Sequence, residues 1–170
     1  MRLLARVVLM LAMGLAAATG ARATPESALS TTGSDFERTL ERQTFALINQ
    51  YRAKDDLPAL KWHEGIAGIA RAHSRDMATG GVDFGHSGFG DRVDQMKLLV
   101  AGFEGAGENV LYTDNLNDLA ERAVQMWLHS PHHLRNIRGD YNLSGIGVWE
   151  SPSGAIYFTQ LFLKIAEPGN

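Results

Sequence analysis

The sequence predicts an α+β domain, a three-layer α-β-α sandwich around a small antiparallel sheet. Apolar residues recur at helical spacing over residues 36–51, 66–77 and 116–127. Runs at 107–112, 143–149 and 155–165 read as strands. The helical segments precede, separate and flank those strands, so each layer has a partner against which to bury its apolar face.

The first helix opens at Ser34, with Glu37 three residues on in the pattern of a capping box. Phe36, Leu40, Leu47, Ile48 and Tyr51 form its apolar stripe, and Asp55-Asp56-Leu57-Pro58 breaks it. A second helix presents Ile66, Ile69, Ala70, His73 and Met77, and Gly80-Gly81 ends it. Residues 82–90 form a glycine-spaced loop carrying His86, and residues 91–100 a short helix. After the strand at 107–112, Asp114 or Asn115 caps a helix with Leu116, Leu119, Ala120, Ala123 and Trp127 on one face, stopping near Ser130-Pro131. The tail is a hairpin with Ser151-Pro152-Ser153-Gly154 at its turn.

Residues 1–23 pair a basic start (Arg2, Arg6) with an apolar stretch and the small-x-small ending Ala21-Arg22-Ala23. They read as a secretory signal peptide cleaved after Ala23, which places the protein in a periplasm or outside the cell. The apolar stretch is short for a membrane span, which takes about 20 residues, so no stable membrane anchor is expected. Residues 24–34 read as a disordered leader and 35–166 as the domain. Removing the signal takes away three arginines and no acid, moving the formal charge from −3 to −6. An acidic surface repels phosphates, so no nucleic-acid partner is expected. Cysteine is absent, which excludes thiol nucleophiles, thiolate ligands and disulfides. A monomer is expected.

Six histidines are present, and their surroundings distinguish them. His86 stands in Phe84-Gly85-His86-Ser87-Gly88, where the glycines let the backbone turn sharply and aim the ring. Glu108 begins a strand behind Gly105 and Gly107, and His132 and His133 follow Ser130-Pro131. Imidazole and carboxylate both offer lone pairs, so such segments suit a divalent metal or acid/base chemistry. There is no His-Glu-x-x-His, no phosphate-binding loop and no Gly-x-Ser-x-Gly elbow.

Several stretches together resemble bacterial members of the CAP superfamily (cysteine-rich secretory protein, antigen 5 and pathogenesis-related). They are Leu47-Ile48-Asn49-Gln50-Tyr51-Arg52, Ala70-Arg71-Ala72-His73, Gly85-His86-Ser87, Gly107-Glu108-Asn109-Val110, Trp127-Leu128-His129-Ser130-Pro131-His132-His133, Gly145-Ile146-Gly147-Val148 and Tyr157-Phe158-Thr159-Gln160. The resemblance spans about Phe36 to Ile165. It implies a sandwich with a central cleft and, in many members, a tetrad of two histidines and two glutamates. His86 and Glu108 match half of that tetrad, while Ser130 and Tyr157 stand at the other two places. His133 holds the position of a histidine that bacterial members often carry in a Ser-Pro-Gly-His-Arg segment.

The expectation is therefore a ligand cleft lined by His86, Glu108, His133, Ser130 and Tyr157, with His86, Glu108 and His133 holding Zn2+ or another divalent cation. The alternative is that His86 and Glu108 form a hydrogen-bonded pair tying loop to strand, and that His133 caps the preceding helix. His73 is expected in the core, and His129 and His132 at the surface. Asn109, Asn136, Trp127 and Gln160 are expected to be structural, since amides do not titrate. Two functions follow: a binding module for a lipid, peptide or cell-envelope ligand, or a metal-dependent hydrolase in which Glu108 activates water. The missing half of the tetrad and the lack of a nucleophile beside a base favour the binding module.

Overall fold

The computed structural model describes residues 34–166. The expected signal peptide, and the leader apart from Ser34, lie outside the described residues. The elements run α1 (Asp35–Lys54), β1 (Lys61–Trp62), α2 (Glu64–Ala78), α3 (Phe89–Lys97), β2 (Phe103–Thr113), α4 (Leu119–Leu128), α5 (Pro131–Arg138), β3 (Leu143–Glu150) and β4 (Ile156–Ile165). Their sheet order is β1-β3-β4-β2, with β1 parallel to β3 and the other pairs antiparallel. The expected mixed sandwich is the observed one.

Alternation along the strands divides the core into two layers. On one face Ile146, Val148, Phe158 and Phe162 pack with Leu40 and Ile48 of α1 and Ala120, Val124 and Trp127 of α4. On the other, Leu161 and Leu163 meet Ile66 and Ala70 of α2 and Met96 of α3. On that second face β3 carries Gly145 and Gly147, and α2 lies so close that a Cβ on either would strike the backbone at Ala67 or Arg71. Glycine is required there by packing.

The capping box forms as expected: Glu37 N donates to Ser34 Oγ at 3.2 Å, and Ser34 N donates to Glu37 Oε2 at 2.6 Å. The carboxylates of α1 also complete the sheet. Beyond the short β1, Val148 N donates to Glu41 Oε1 at 3.2 Å and Glu150 N to Glu37 Oε1 at 2.8 Å, so side chains stand in for a neighbouring strand. Arg71 balances the Glu41 charge through two bonds of 2.6 and 3.0 Å.

Several boundaries differ from expectation. Helix α4 starts at Leu119 behind Asp118, not at Asp114 or Asn115, and Leu116 is exposed in the loop before it. The third helix spans Phe89–Lys97, earlier than expected, and β2 runs from Phe103, well before Gly107. Pro131 ends α4 but also opens α5: at the first helical position its missing N–H is not needed and its fixed φ suits the helix. His132 and His133 therefore sit on the first turn of a helix rather than in a loop.

Candidate functional site

Strand β2 is one edge of the sheet, and the chemistry-bearing residues gather along it. Helix α5 shields that edge. Asn136 Nδ2 donates to the Glu108 carbonyl at 2.9 Å and to Asn109 Oδ1 at 2.8 Å, and Asn109 Nδ2 donates to the His133 carbonyl at 3.1 Å. Gly107 leaves room for that approach: a Cβ there would lie 3.3 Å from Asn136 Oδ1 of α5 and 2.7 Å from the hydroxyl of Tyr141, in the loop after it. The two asparagines thus fix where His133 stands. Trp127 and Gln160 are fully buried; Gln160 Nε2 donates to Ser144 Oγ at 3.2 Å.

The loop between α2 and α3 supplies His86. Gly85 (φ 144°) and Gly88 (φ 76°) occupy backbone regions that favour glycine, and Phe89 N closes the turn on the His86 carbonyl at 3.0 Å. Buried His73 anchors the loop from α2, its Nε2 lying 2.9 Å from the Gly85 carbonyl. Burial lowers the His73 pKa below the ordinary histidine value, and the Gly85 bond opposes that shift.

His86 Nδ1 lies 2.8 Å from Glu108 Oε1. Glu108 is buried, whereas the His86 ring is 54% exposed. The other partner of Glu108 is Arg92 of α3, buried as well: its Nε donates to Oε2 at 2.6 Å and its Nη2 to Oε1 at 2.8 Å. Arg92 also holds the loop through the Ser87 carbonyl at 2.9 Å. Nothing in the sequence distinguishes Arg92 from the solvated charges around it, Asp91 and Asp94. What singles it out is its place on the inward face of a short helix directly after the His86 loop.

His86 and His133 line one cavity of about 380 Å³. Its remaining walls are largely apolar: Phe84, Val110, Leu111, Tyr112 and Met126. Tyr157 pairs with Tyr112 across β4 and β2 and stacks on it at 5.3 Å between centroids, and Phe84 meets Tyr112 edge-on at 5.1 Å. Tyr157 therefore buttresses the aromatic wall. Ser130 is the residue preceding α5 and is not among the residues lining the cavity. His129 is exposed at the end of α4, its Nδ1 2.7 Å from the Gln125 carbonyl, and His132 is exposed on α5. A second hollow of about 390 Å³ runs along α4, sharing Met126 but walled by Asp118, Glu121 and Arg122.

Burial lowers the His133 pKa, and charge on His86 or His132 would lower it further, so its imidazole is held toward the neutral form. The donor set does not fit a metal ion. Both Glu108 oxygens accept from Arg92, one of them also faces His86 Nδ1, and among the described residues no three His, Asp or Glu side chains gather closely enough to share an ion. What the arrangement offers is a polar edge of two imidazoles, His86 and His133, on an apolar hollow.

An α-β-α sandwich whose histidine-lined cavity opens at the sheet edge defines the class, and comparison places the chain within it. Residues 45–162 match the model of the CAP, or cysteine-rich secretory protein, family, and the chain belongs to that family. It is 33% identical over 132 residues to a Bacillus subtilis (strain 168) protein described as the uncharacterized membrane protein YlbC, covering 76% of this chain and 36% of the relative. An extracellular protein from Bacillus anthracis containing an SCP domain superposes with a TM-score of 0.65 at 29% identity, covering 84% of this chain and 44% of the other. An outer surface protein from Borrelia burgdorferi shares the fold, with a TM-score of 0.65 at 18% identity over 76% of this chain and 95% of its own. The chain spans about a third of its curated relative's length and under half of the Bacillus anthracis structure's. No helix among the described residues is long and apolar enough to cross a membrane.

Proposed function

We infer that the chain is a non-catalytic binding module acting outside the cytoplasm, and that its cavity takes the apolar body of a small lipid-like or cell-envelope molecule. The observation that carries this reading is the cavity itself: an open hollow of about 380 Å³ walled by Phe84, Tyr112, Val110, Leu111 and Met126, with imidazoles as its polar groups. Small-ligand sites combine mainly apolar walls with a few placed polar groups in this way. The extracellular protein and outer surface protein among the structural relatives, together with the sequence of residues 1–23, support the location.

The hydrolase alternative gives Glu108 the task of taking a proton from water. Both Glu108 oxygens are committed to Arg92, and Ser130 is not on the cavity wall. The metal-dependent alternative also lacks a fitting donor set.

Native mass spectrometry after incubation with a bacterial envelope lipid extract tests the inference. One adduct per chain is expected, unchanged by a chelator and weakened about tenfold in Tyr112→Ala, which removes an aromatic wall. An absent adduct, or one held equally by Tyr112→Ala, would contradict the assignment.

A further inference from the structure

Arg92 is not among the residues lining the cavity, yet it binds the carboxylate that faces His86. Glu108 Oε2 accepts from Arg92 Nε at 2.6 Å, and Oε1 accepts from Arg92 Nη2 at 2.8 Å. An oxygen already accepting from a guanidinium has only a lone pair to offer its second partner, so the 2.8 Å contact at His86 Nδ1 requires the hydrogen to sit on Nδ1. A neutral imidazole with hydrogen on Nδ1 carries a bare lone pair on Nε2, the nitrogen not engaged by Glu108, on a ring that lines the cavity.

We propose that Arg92 is a positioning residue that fixes Glu108, thereby holds His86 as a hydrogen-bond acceptor at Nε2, and so makes the cavity select apolar molecules ending in a hydroxyl over the matching carboxylates. This rests on the reading of the cavity as an apolar-ligand site. A hydroxyl can donate to His86 Nε2 and still accept from an N–H of His133 on the same cavity. An ionised carboxylate can only accept, so it sets a charged oxygen against the Nε2 lone pair. The internal Arg92–Glu108 pair leaves no net charge beside His86 to attract an anion.

Without the guanidinium the Glu108 carboxylate is free to turn away from Nδ1. The tautomer is then no longer fixed, and the Nε2–H form, a donor at the nitrogen that had been the acceptor, becomes accessible.

The test uses 1-octanol and octanoate as probes of equal chain length, with affinities by calorimetry, and long-range ¹H–¹⁵N NMR of the His86 ring to read its tautomer. In the unmodified protein the Nδ1–H form and an octanol preference of about tenfold are expected. Arg92→Lys, which keeps the charge, should retain both, whereas Arg92→Gln should shift the ring toward Nε2–H and abolish the preference. An Nε2–H ring or equal affinities in the unmodified protein would overturn the proposal, and neither measurement needs the variants to fold. Equal binding of both probes leaves the apolar cavity standing, whereas binding of neither removes the cavity reading as well.

Discussion

Gly147→Ala is expected to destabilise the domain by about 3 kcal/mol, near the upper range of overpacking effects. The Cβ would enter the space held by the backbone of α2 at Ala70 and Arg71, not a flexible side chain that could turn aside. Relief requires α2 to move off β3. That shift would loosen the pairing of Arg71 with Glu41, and with it the carboxylate that accepts from Val148 N. Against a total stability of roughly 5–15 kcal/mol for a domain this size, such a loss is large. The urea midpoint followed by circular dichroism measures it. Gly68→Ala provides a control of opposite sign on the same helix. Nothing lies within 4 Å of its added Cβ, so helix propensity alone should stabilise by about 0.5–1 kcal/mol. A Gly147→Ala protein as stable as the parent would mean that α2 does not pack on β3 as described.

Arg52→Met is expected to cost a comparable amount, about 3–5 kcal/mol. Arg52 is fully buried at the end of α1, where its guanidinium gathers carbonyls from separate segments. Nε donates to Pro58 O at 2.9 Å, and Nη1 to Ile137 O at 2.7 Å and Gly139 O at 3.0 Å. The guanidinium thus binds the loop after α1 to the exit from α5. Methionine fills much of the same space but removes the side-chain donor from the Pro58 and Ile137 carbonyls, while Gly139 O still accepts from Tyr141 N at 2.9 Å. Lysine in the same place should recover only part of the loss, because one ammonium cannot reproduce the planar fork. Thermal unfolding of the variants gives the comparison, and a methionine variant within about 0.5 kcal/mol of the parent would contradict the role assigned to the clamp.

Features written in local pattern were legible in the sequence. The capping box at Ser34, the apolar stripes of α1 and α2, the terminal hairpin and the glycine-flanked His86 loop all depend on residues close in the chain. Their structural counterparts match closely. Features decided by distant partners were not legible. The sequence marks Glu37 only as a capping residue and gives Glu41 no role, yet both are buried because β3 needs acceptors beyond β1. Pro131 carries two meanings, stop and start, and only the helix that follows decides between them. Residues 61 and 62 are too few for a periodic signal, although they pair with β3.

The candidate site divides along the same line. The His86–Glu108 contact arises between segments that the resemblance had already marked. The Arg92 clamp, which removes the fit to a metal, and the aromatic wall of Phe84 and Tyr112 arise from tertiary packing. Tyr112 and Glu108 share a face of β2 by simple alternation, so the aromatic side chain two steps beyond Val110 was the available clue.

The hollow at the edge of β2, and not the charged groove along α4, is the place inferred to receive the ligand. Backbone amide shift mapping of ¹⁵N-labelled protein titrated with 1-octanol tests it most directly. Shifts are expected to centre on Phe84 to His86, Val110 to Tyr112 and His133, the residues that enclose the cavity. Shifts confined to Asp118, Glu121 and Arg122, or no saturable shift anywhere, would contradict it.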